Sequence, residues 1–337
     1  MDIKKPNILL IEIDCLASEA IFEGDSYTPT IDSLVKDSIN FKNTIVSATS
    51  TIPSFSSLFT GEFPPSHGVR SQSGYKLKKS SPNLVGAFKK GGYTTYAEVT
   101  GPLMKEVGFD RGFDHFNYRD KDDGLNSDWF KKFIKRLQKD RLEEPWFLML
   151  HLWEVHGPRI FPKKFDEPKY GKNAYGKALS YVDLKLKEIL DSVDLENTIV
   201  AITGDHGELY GKTRLEEIVL HTNKEIYKFK RDFGMRTDNL MPGDHGFHVY
   251  DFLVKVPLIL HIDGLEGRMI EEQCRSIDIL PTLLSYADLS VDKKIDGVSL
   301  LPMIKGEEKQ DLIAYSESTG SITGEDFSNK FCSIRTN

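Results

Sequence analysis

Three apolar runs, each followed by residues that can bind a metal ion, constrain the fold of this chain more than any other feature. The runs cover residues 7–13, 146–152 and 198–203. Each is almost continuously apolar, which is typical of a strand buried on both faces of a parallel sheet. Segments with helical periodicity separate them. The sequence therefore predicts an α/β fold with a doubly wound, mostly parallel sheet flanked by helices.

Two further segments carry structural expectations. Residues 29–41 begin with the proline of a Thr-Pro pair and then repeat apolar residues at helical spacing, so we predict one amphipathic helix over them. Residues 210–242 are charged and show no clean pattern, which favours an insertion or a lid. At 337 residues and 39% hydrophobic content, the chain can bury a large core in one domain or in two smaller units.

Composition excludes several classes of protein. The net charge of −7 gives no overall basic face, so a nucleic-acid partner is not expected. No apolar run approaches the length of a membrane span, and no secretory signal is visible, so we expect a cytoplasmic protein. The three cysteines are an odd number without a short-range pairing motif, which indicates reduced thiols.

The residues at the strand ends are the candidate metal ligands. They are Asp14, Glu154 with His156, and Asp205 with His206. The carboxyl ends of parallel strands lie along one edge of a sheet, so these side chains are expected to meet there. Carboxylate and imidazole ligands suit Zn²⁺ or Mn²⁺, and Ca²⁺ or Mg²⁺ if oxygen ligands dominate. Glu12 lies on the same strand face as Asp14 and is the alternative early ligand; Asp14 is preferred because it lies at the strand end.

A hydroxyl-rich segment, residues 50–61, supplies the candidate nucleophile. Pro53 suits a first helical turn, and the apolar residues after it keep helical spacing. Alone, this segment predicts only a helix cap. Opposite the strand ends, Thr51 becomes a candidate nucleophile and a further metal ligand, since a metal would lower the pKa of its hydroxyl. His156 and His245 are candidates to neutralise the non-bridging oxygens or to protonate the leaving group.

The order of these motifs resembles that of the sulfatase branch of the alkaline phosphatase superfamily. The similarity extends nearly end to end. It rests on the following segments: 6–14, 28–34, 51–61, 108–114, 204–208, 277–282 and 296–300. The resemblance implies a sulfatase-like catalytic domain over residues 1–310. It also implies that residues 311–337 begin a reduced or truncated small sheet at the C-terminus.

Three departures from the sulfatase pattern bear on function. Sulfatases have a cysteine or serine followed by an arginine where this chain has Thr51 and Phe55, and Cys15 stands at their second aspartate. Their sulfate-holding lysine and histidine are missing from residues 99–103. A threonine nucleophile resembles the phosphoethanolamine and phosphoglycerol transferases and related phosphodiesterases. Residues 150–158 are similar to their "LH…SHGP" segment, and His245 is similar to their later histidine.

The resemblance implies a metal-dependent hydrolase or transferase that cleaves phosphoesters through a phospho-Thr51 intermediate. Its substrate would be a small-molecule, glycan or lipid-headgroup ester. Three residues are expected to contact it: His151, Glu154 and His248. One alternative is a sulfate- or phosphonate-ester hydrolase that uses unmodified Thr51. Another is a catalytically silent relative that acts as a binding protein.

Overall fold

The fold is built on one large sheet, known from a computed structural model that describes residues 5–120, 122–138, 142–209, 245–307, 310–319, 331–336 and five single positions between 210 and 244. The strands are β1 (Asn7–Ile13), β2 (Ile39–Ile45), β3 (Thr94–Val99), β4 (His115–Tyr118), β5 (Trp146–Leu152), β6 (Thr198–Thr203), β7 (Lys255–His261), β8 (Arg268–Ile270), β9 (Cys274–Arg275), β10 (Ala314–Ser318) and β11 (Phe331–Arg335). The first nine form the large sheet, and β10 pairs with β11 in a small separate one.

Strand order brings the three apolar runs side by side. The large sheet runs β4-β3-β5-β1-β6-β7-β2-β8, with β9 paired to β2. Strand β1 pairs in parallel with β5 on one side and with β6 on the other. Only β7, among the described strands, runs antiparallel to its neighbours in this sheet. The predicted mostly parallel α/β sheet is confirmed.

Helices cover both faces of the sheet. They are α1 (Ser18–Phe22), α2 (Pro29–Lys36), α3 (Thr51–Thr60), α4 (Pro64–His67), α5 (Leu84–Lys90), α6 (Asp128–Leu137), α7 (Ala174–Leu190), α8 (Asp251–Val254), α9 (Ile279–Tyr286) and α10 (Leu301–Lys305). Side chains of β1 alternate between two hydrophobic clusters: Ile8 and Leu10 pack with α3, α5 and α9, whereas Leu9 and Ile11 pack with α6 and α7. Burial of both faces explains why β1 is almost continuously apolar.

The prediction of one helix over residues 29–41 is wrong in its second half. Helix α2 ends at Lys36, and strand β2 begins at Ile39. Residue 39 pairs with Leu260 of β7, more than two hundred positions away in sequence. Local periodicity cannot report such a partner, and the apolar residues of this short stretch suit either element.

The C-terminal residues form the two-stranded sheet that the sequence predicts. Strands β10 and β11 pair antiparallel, and the Ser316 hydroxyl donates to the Val46 carbonyl at 2.6 Å. The domain boundary at residue 310 stays a prediction. The expected lid at 210–242 lies outside the described residues except for single positions. No helix in the described ranges is both long and apolar enough to cross a membrane.

Candidate metal centre and nucleophile

The ends of β1 and β5 place two carboxylates beside a buried histidine. Glu12 is the register partner of His151 across the two strands. The Nε2 atom of His151 lies 3.4 Å from Oδ2 of Asp14 and 3.7 Å from Oε2 of Glu12. All three side chains are 0–1% exposed. Neighbouring parallel strands therefore bring together residues 137 positions apart or more.

The loop after β6 adds Asp205 and His206 to the same edge. One carboxylate oxygen of Asp205, Oδ1, accepts hydrogen bonds from the backbone N–H of Cys15 at 3.1 Å and of His206 at 2.8 Å. Its other oxygen, Oδ2, lies 3.2 Å from Nε2 of His206. A Cβ at Gly207 would lie 2.0 Å from the Phe252 carbonyl oxygen, so only glycine allows this close approach of the loop to the chain before β7.

Several buried polar atoms at this edge lack a hydrogen-bond partner in the described part of the chain. They are Oε2 of Glu12, Oδ2 of Asp14, Oδ2 of Asp205, Nε2 of His206 and both ring nitrogens of His151. Native proteins leave few buried polar groups unpaired, so each group of this kind needs a physical explanation. Ligand atoms of Asp14, Asp205 and His206 all lie within 4.8 Å of one another. Carboxylates and imidazoles that converge in this way fit a divalent metal ion.

The pKa values of the carboxyl groups reflect their crowding. Burial and the nearby Asp205 and Asp14 carboxylates raise the pKa of Glu12 well above its ordinary value. Burial and the Asp14 charge also raise the pKa of Asp205. Burial opposes ionisation of Asp14 too, but His156 and His151 outweigh it and hold that pKa well below its usual range. A cation would relieve the repulsion that these carboxylates otherwise share.

Helix α3 presents its first turn to the same cluster. The Ser54 hydroxyl donates to the Asp205 carbonyl at 2.5 Å, and the Phe55 ring lies edge-on to His151 with centroids 5.3 Å apart. Residues three and four positions apart share one helix face, so the buried Thr51 lies on the face that contacts the strand ends. The backbone N–H of Ile52 donates to the Gln72 side chain at 3.0 Å.

Two further histidines, His245 and His156, belong to the same cluster. The His245 ring stacks on His206 with centroids 4.3 Å apart and lies 5.1 Å from the ring of His156. Its Nδ1 is 3.6 Å from Oε2 of Glu208. Burial lowers the pKa of His245, but the carboxylates, led by Glu208, raise it to about 9. Burial lowers the pKa of His156, which stacks on Trp153 at 3.9 Å.

Two predicted substrate residues lie outside this cluster by their described contacts. The carboxylate oxygens of Glu154 accept from the backbone N–H groups of Leu125 at 2.9 Å and Trp153 at 3.0 Å, which fixes a loop. The His248 ring packs against Tyr250 and Phe331. His151, the third predicted substrate residue, lies beside the carboxylates of Asp14 and Glu12.

Two residues of the cluster were absent from the predicted site. Cys15 directly follows Asp14, and its Sγ lies 3.1 Å from Oδ1 of that residue. Glu208 lies three positions after Asp205 in the same loop and faces His245 and Arg159. Proximity in sequence to the predicted ligands was the signal available for both residues.

Comparison with known proteins shows that the sequence is similar to sulfatases. The chain is 23% identical to an ulvan-active sulfatase of Formosa agariphila, over 91% of this chain and 66% of that protein. It is 21% identical to a choline-sulfatase of Rhizobium meliloti, over 90% of this chain and 72% of that one. It thus spans just under two thirds of the length of the first of these relatives.

Solved structures give the same result for the fold. The phosphonate monoester hydrolase of Agrobacterium radiobacter superposes with a TM-score of 0.75 and 18% identity, covering 98% of this chain and 86% of that one. Residues 6–289 match the family model described as Sulfatase. Relatives in this family are hydrolases, and the family generally binds a divalent metal ion. Because the match covers well over half of the chain, this protein belongs to the sulfatase family.

Proposed function

We propose that this protein is a metal-dependent enzyme that cleaves phosphoesters, with Thr51 as its nucleophile. The proposal rests on one observation: the first turn of α3 contacts the strand-end cluster. Ser54 bonds to Asp205, and Phe55 contacts His151, on the helix face that also carries Thr51. The Thr51 hydroxyl would therefore face converging carboxylates and imidazoles at a helix start, where partial positive charge stabilises an anionic group.

Asp14, Asp205 and His206 would hold the metal ion, and the Thr51 hydroxyl would complete the site. Their unpaired buried atoms support this assignment. When bound, the ion supplies Lewis-acid polarisation of the ester and lowers the pKa of the threonine hydroxyl. Glu12 lies beside His151, which in turn lies beside Asp14. These two residues would therefore orient the Asp14 carboxylate.

The chemical steps follow from groups of the chain itself. The Thr51 hydroxyl gives its proton to solvent and its oxygen attacks phosphorus, so that an Oγ1–P bond forms while the bond from phosphorus to the leaving oxygen breaks. His245 and His156, whose rings are 5.1 Å apart, would hold the non-bridging oxygens and pass a proton to the leaving group. Water completes a hydrolysis at phospho-Thr51, and an alcohol completes a transfer. The substrate would be a small-molecule, glycan or lipid-headgroup ester.

A second candidate is hydrolysis of sulfate or phosphonate esters by the same unmodified threonine. Membership of the sulfatase family and the names of the relatives favour it: an ulvan-active sulfatase, a choline-sulfatase and a phosphonate monoester hydrolase. Phe55 and Cys15 favour the phosphoester, because sulfatases have an arginine and an aspartate at the two corresponding positions.

Turnover of a substrate panel tests the proposal. Aryl phosphodiester, phosphate monoester, phosphonate and sulfate esters are compared with Zn²⁺ or Mn²⁺ present, using the wild-type protein, Thr51→Ala and the control Thr51→Ser. We expect the phosphodiester or monoester to be preferred, at least about a 1,000-fold loss in Thr51→Ala and residual activity in Thr51→Ser.

The other outcomes separate the alternatives. Preference for the aryl sulfate would favour the second candidate. Full activity in Thr51→Ala would rule out the proposed nucleophile. Metal retention without turnover of any ester would indicate a silent binding protein.

A further inference from the structure

We propose that the thiolate of Cys15 is a ligand of the metal ion held by Asp14, Asp205 and His206, and that it makes the site selective for zinc-like ions over Ca²⁺ and Mg²⁺. The inference rests on the proposed metal centre and deepens it by adding a sulfur ligand. Cys15 is fully buried.

The backbone of Cys15 is held in an unusual conformation that orients its side chain. Its φ is +63°, a left-handed value that non-glycine residues seldom adopt. Its N–H donates to Oδ1 of Asp205, and its carbonyl accepts from the Tyr175 hydroxyl at 2.8 Å. Such a conformation costs about 1–3 kcal/mol and persists where its surroundings impose it, often at functional sites. The fold therefore stabilises one particular position of this sulfur.

That position is within the metal centre. The Sγ atom lies 3.1 Å from Oδ1 of Asp14 and 3.8 Å from Nδ1 of His245, and it lies within 4.8 Å of ring nitrogens of His206 and His156. Ligand atoms around a tetrahedral zinc ion are about 3.3–3.6 Å apart, given Zn–S near 2.3 Å and Zn–N or Zn–O near 2.0–2.1 Å. Asp14, Asp205, His206 and the Cys15 thiolate would then supply four ligands, and the Thr51 oxygen would be the fifth, a coordination number that zinc also adopts. His245 stays free to bond to Glu208.

The chemistry of sulfur sets the metal preference. When the metal–sulfur bond forms, the thiol proton leaves to solvent, and the thiolate sulfur binds the metal ion. Thiolates bind Zn²⁺ well, whereas Ca²⁺ and Mg²⁺ prefer oxygen ligands.

The other two cysteines provide matched controls. The sulfur of Cys274 is also buried but lies beside the Thr44 hydroxyl at 3.2 Å, next to β2. Cys332 is exposed and lies near the Tyr315 hydroxyl on the small sheet. Neither belongs to a group of candidate ligands among the described residues.

Loading with Co²⁺ alone tests the proposal without an activity assay. Thiolate-bound cobalt gives an intense sulfur-to-metal absorption band in the near ultraviolet. We expect the band in the wild type, in Cys274→Ser and in Cys332→Ser, and its loss in Cys15→Ser. In Cys15→Asp, we expect retained metal without the band and a ratio of Zn²⁺ to Ca²⁺ affinity lowered at least about 10-fold.

The alternatives are distinguishable. A band that persists in folded Cys15→Ser, or wild-type protein that binds cobalt without the band, would overturn the sulfur ligand and leave the proposed function standing. Wild-type protein that binds no cobalt would overturn both. If Cys15→Ser fails to fold by circular dichroism, Cys15→Asp decides in the same way.

Discussion

Two buried acidic sites of this fold differ in their partners. Asp205 and Asp14 at the strand ends and Asp278 before α9 are 0–2% exposed. Oδ1 of Asp278 accepts from the Arg275 guanidinium at 2.7 Å and from the Val298 N–H at 2.9 Å. Its Oδ2 accepts from the N–H and the Nε of Arg275, both at 2.9 Å. In contrast, one oxygen of Asp14 and one of Asp205 have no such donor in the described ranges.

The difference separates a structural carboxylate from a ligand. A buried charge that is paired and fully hydrogen-bonded holds two segments together. A buried carboxylate oxygen without a hydrogen-bond donor carries a desolvation penalty, which a bound cation would offset. Burial alone would class both sites together. Hydrogen-bond partners distinguish them.

The largest expected effect is on folding at the paired site. In Asp278→Asn, the buried Arg275 guanidinium keeps its charge but loses its anionic partner, so the free energy of unfolding should fall by about 3–5 kcal/mol. Urea denaturation measures this. The matched control is Asp292→Asn, which breaks the exposed Lys90–Asp292 pair and should leave stability unchanged. Equal stability of Asp278→Asn and the wild type would remove the contrast between the two sites.

At the strand ends, we expect a smaller effect, which appears in stabilisation by metal and not as a loss of stability in the metal-free protein. Asp205→Asn keeps an oxygen that can accept from the N–H groups of Cys15 and His206 but removes the charge at Oδ2. The metal-free variant should be as stable as the metal-free wild type or more so, because Asp14 no longer repels this residue. At a metal concentration 100 times its Kd, the wild type should gain about 2.7 kcal/mol, and the variant should gain none.

Thermal unfolding with and without Zn²⁺ or Mn²⁺ measures both parts of this prediction. A large loss of metal-free stability in Asp205→Asn would place Asp205 with the structural carboxylates. Equal metal stabilisation in the two proteins would show that Asp205 is not a ligand.

The smallest effect concerns a buried histidine that, unlike His151, is fully paired. Nε2 of His67 lies 2.9 Å from the Ser57 hydroxyl, and its Nδ1 accepts from the Val69 N–H at 3.1 Å. Burial and the charge of Arg70 lower its pKa from 6.5 to about 3. Between pH 6.5 and about 3, the unfolded chain therefore binds more protons than the folded one. Stability falls as pH falls below 6.5.

The slope from this group is at most about 1.4 kcal/mol per pH unit. Denaturation of the wild type and His67→Gln between pH 6.5 and about 5 isolates it, because the carboxylates contribute equally to both. The variant should show the shallower slope. Identical slopes would mean that burial and the charge of Arg70 do not hold His67 neutral in the folded protein.

The sequence predicted the fold through features that are local. Continuous apolar runs indicate strands buried on both faces, as in β1, and segments with helical periodicity between these runs indicate helices such as α7. An acidic residue just after a buried strand also marks Asp14 and Asp205 as candidates, because ligands in α/β sheets bind at the carboxyl ends of the strands. The predicted roles of these residues stay predictions.

Other features depended on contacts between distant segments. Strand β2 was missed because its partner β7 lies far along the chain. Glu154 was expected to contact substrate, yet the backbone of Leu125 binds its Oε1. Strand face could not decide whether Glu12 or Asp14 is the metal ligand, because both residues lie on the same face. In the structure, both leave an unpaired oxygen next to His151.

The sequence by itself determined which segments become strands and helices and which strands end in candidate ligands, because burial patterns and helix starts are encoded within a few neighbouring residues. Only the tertiary structure decided that β1 lies between β5 and β6, that the Cys15 N–H donates to Asp205, and that the first turn of α3 contacts the cluster. These arrangements arise from pairing and packing between residues more than a hundred positions apart, and no local pattern records them.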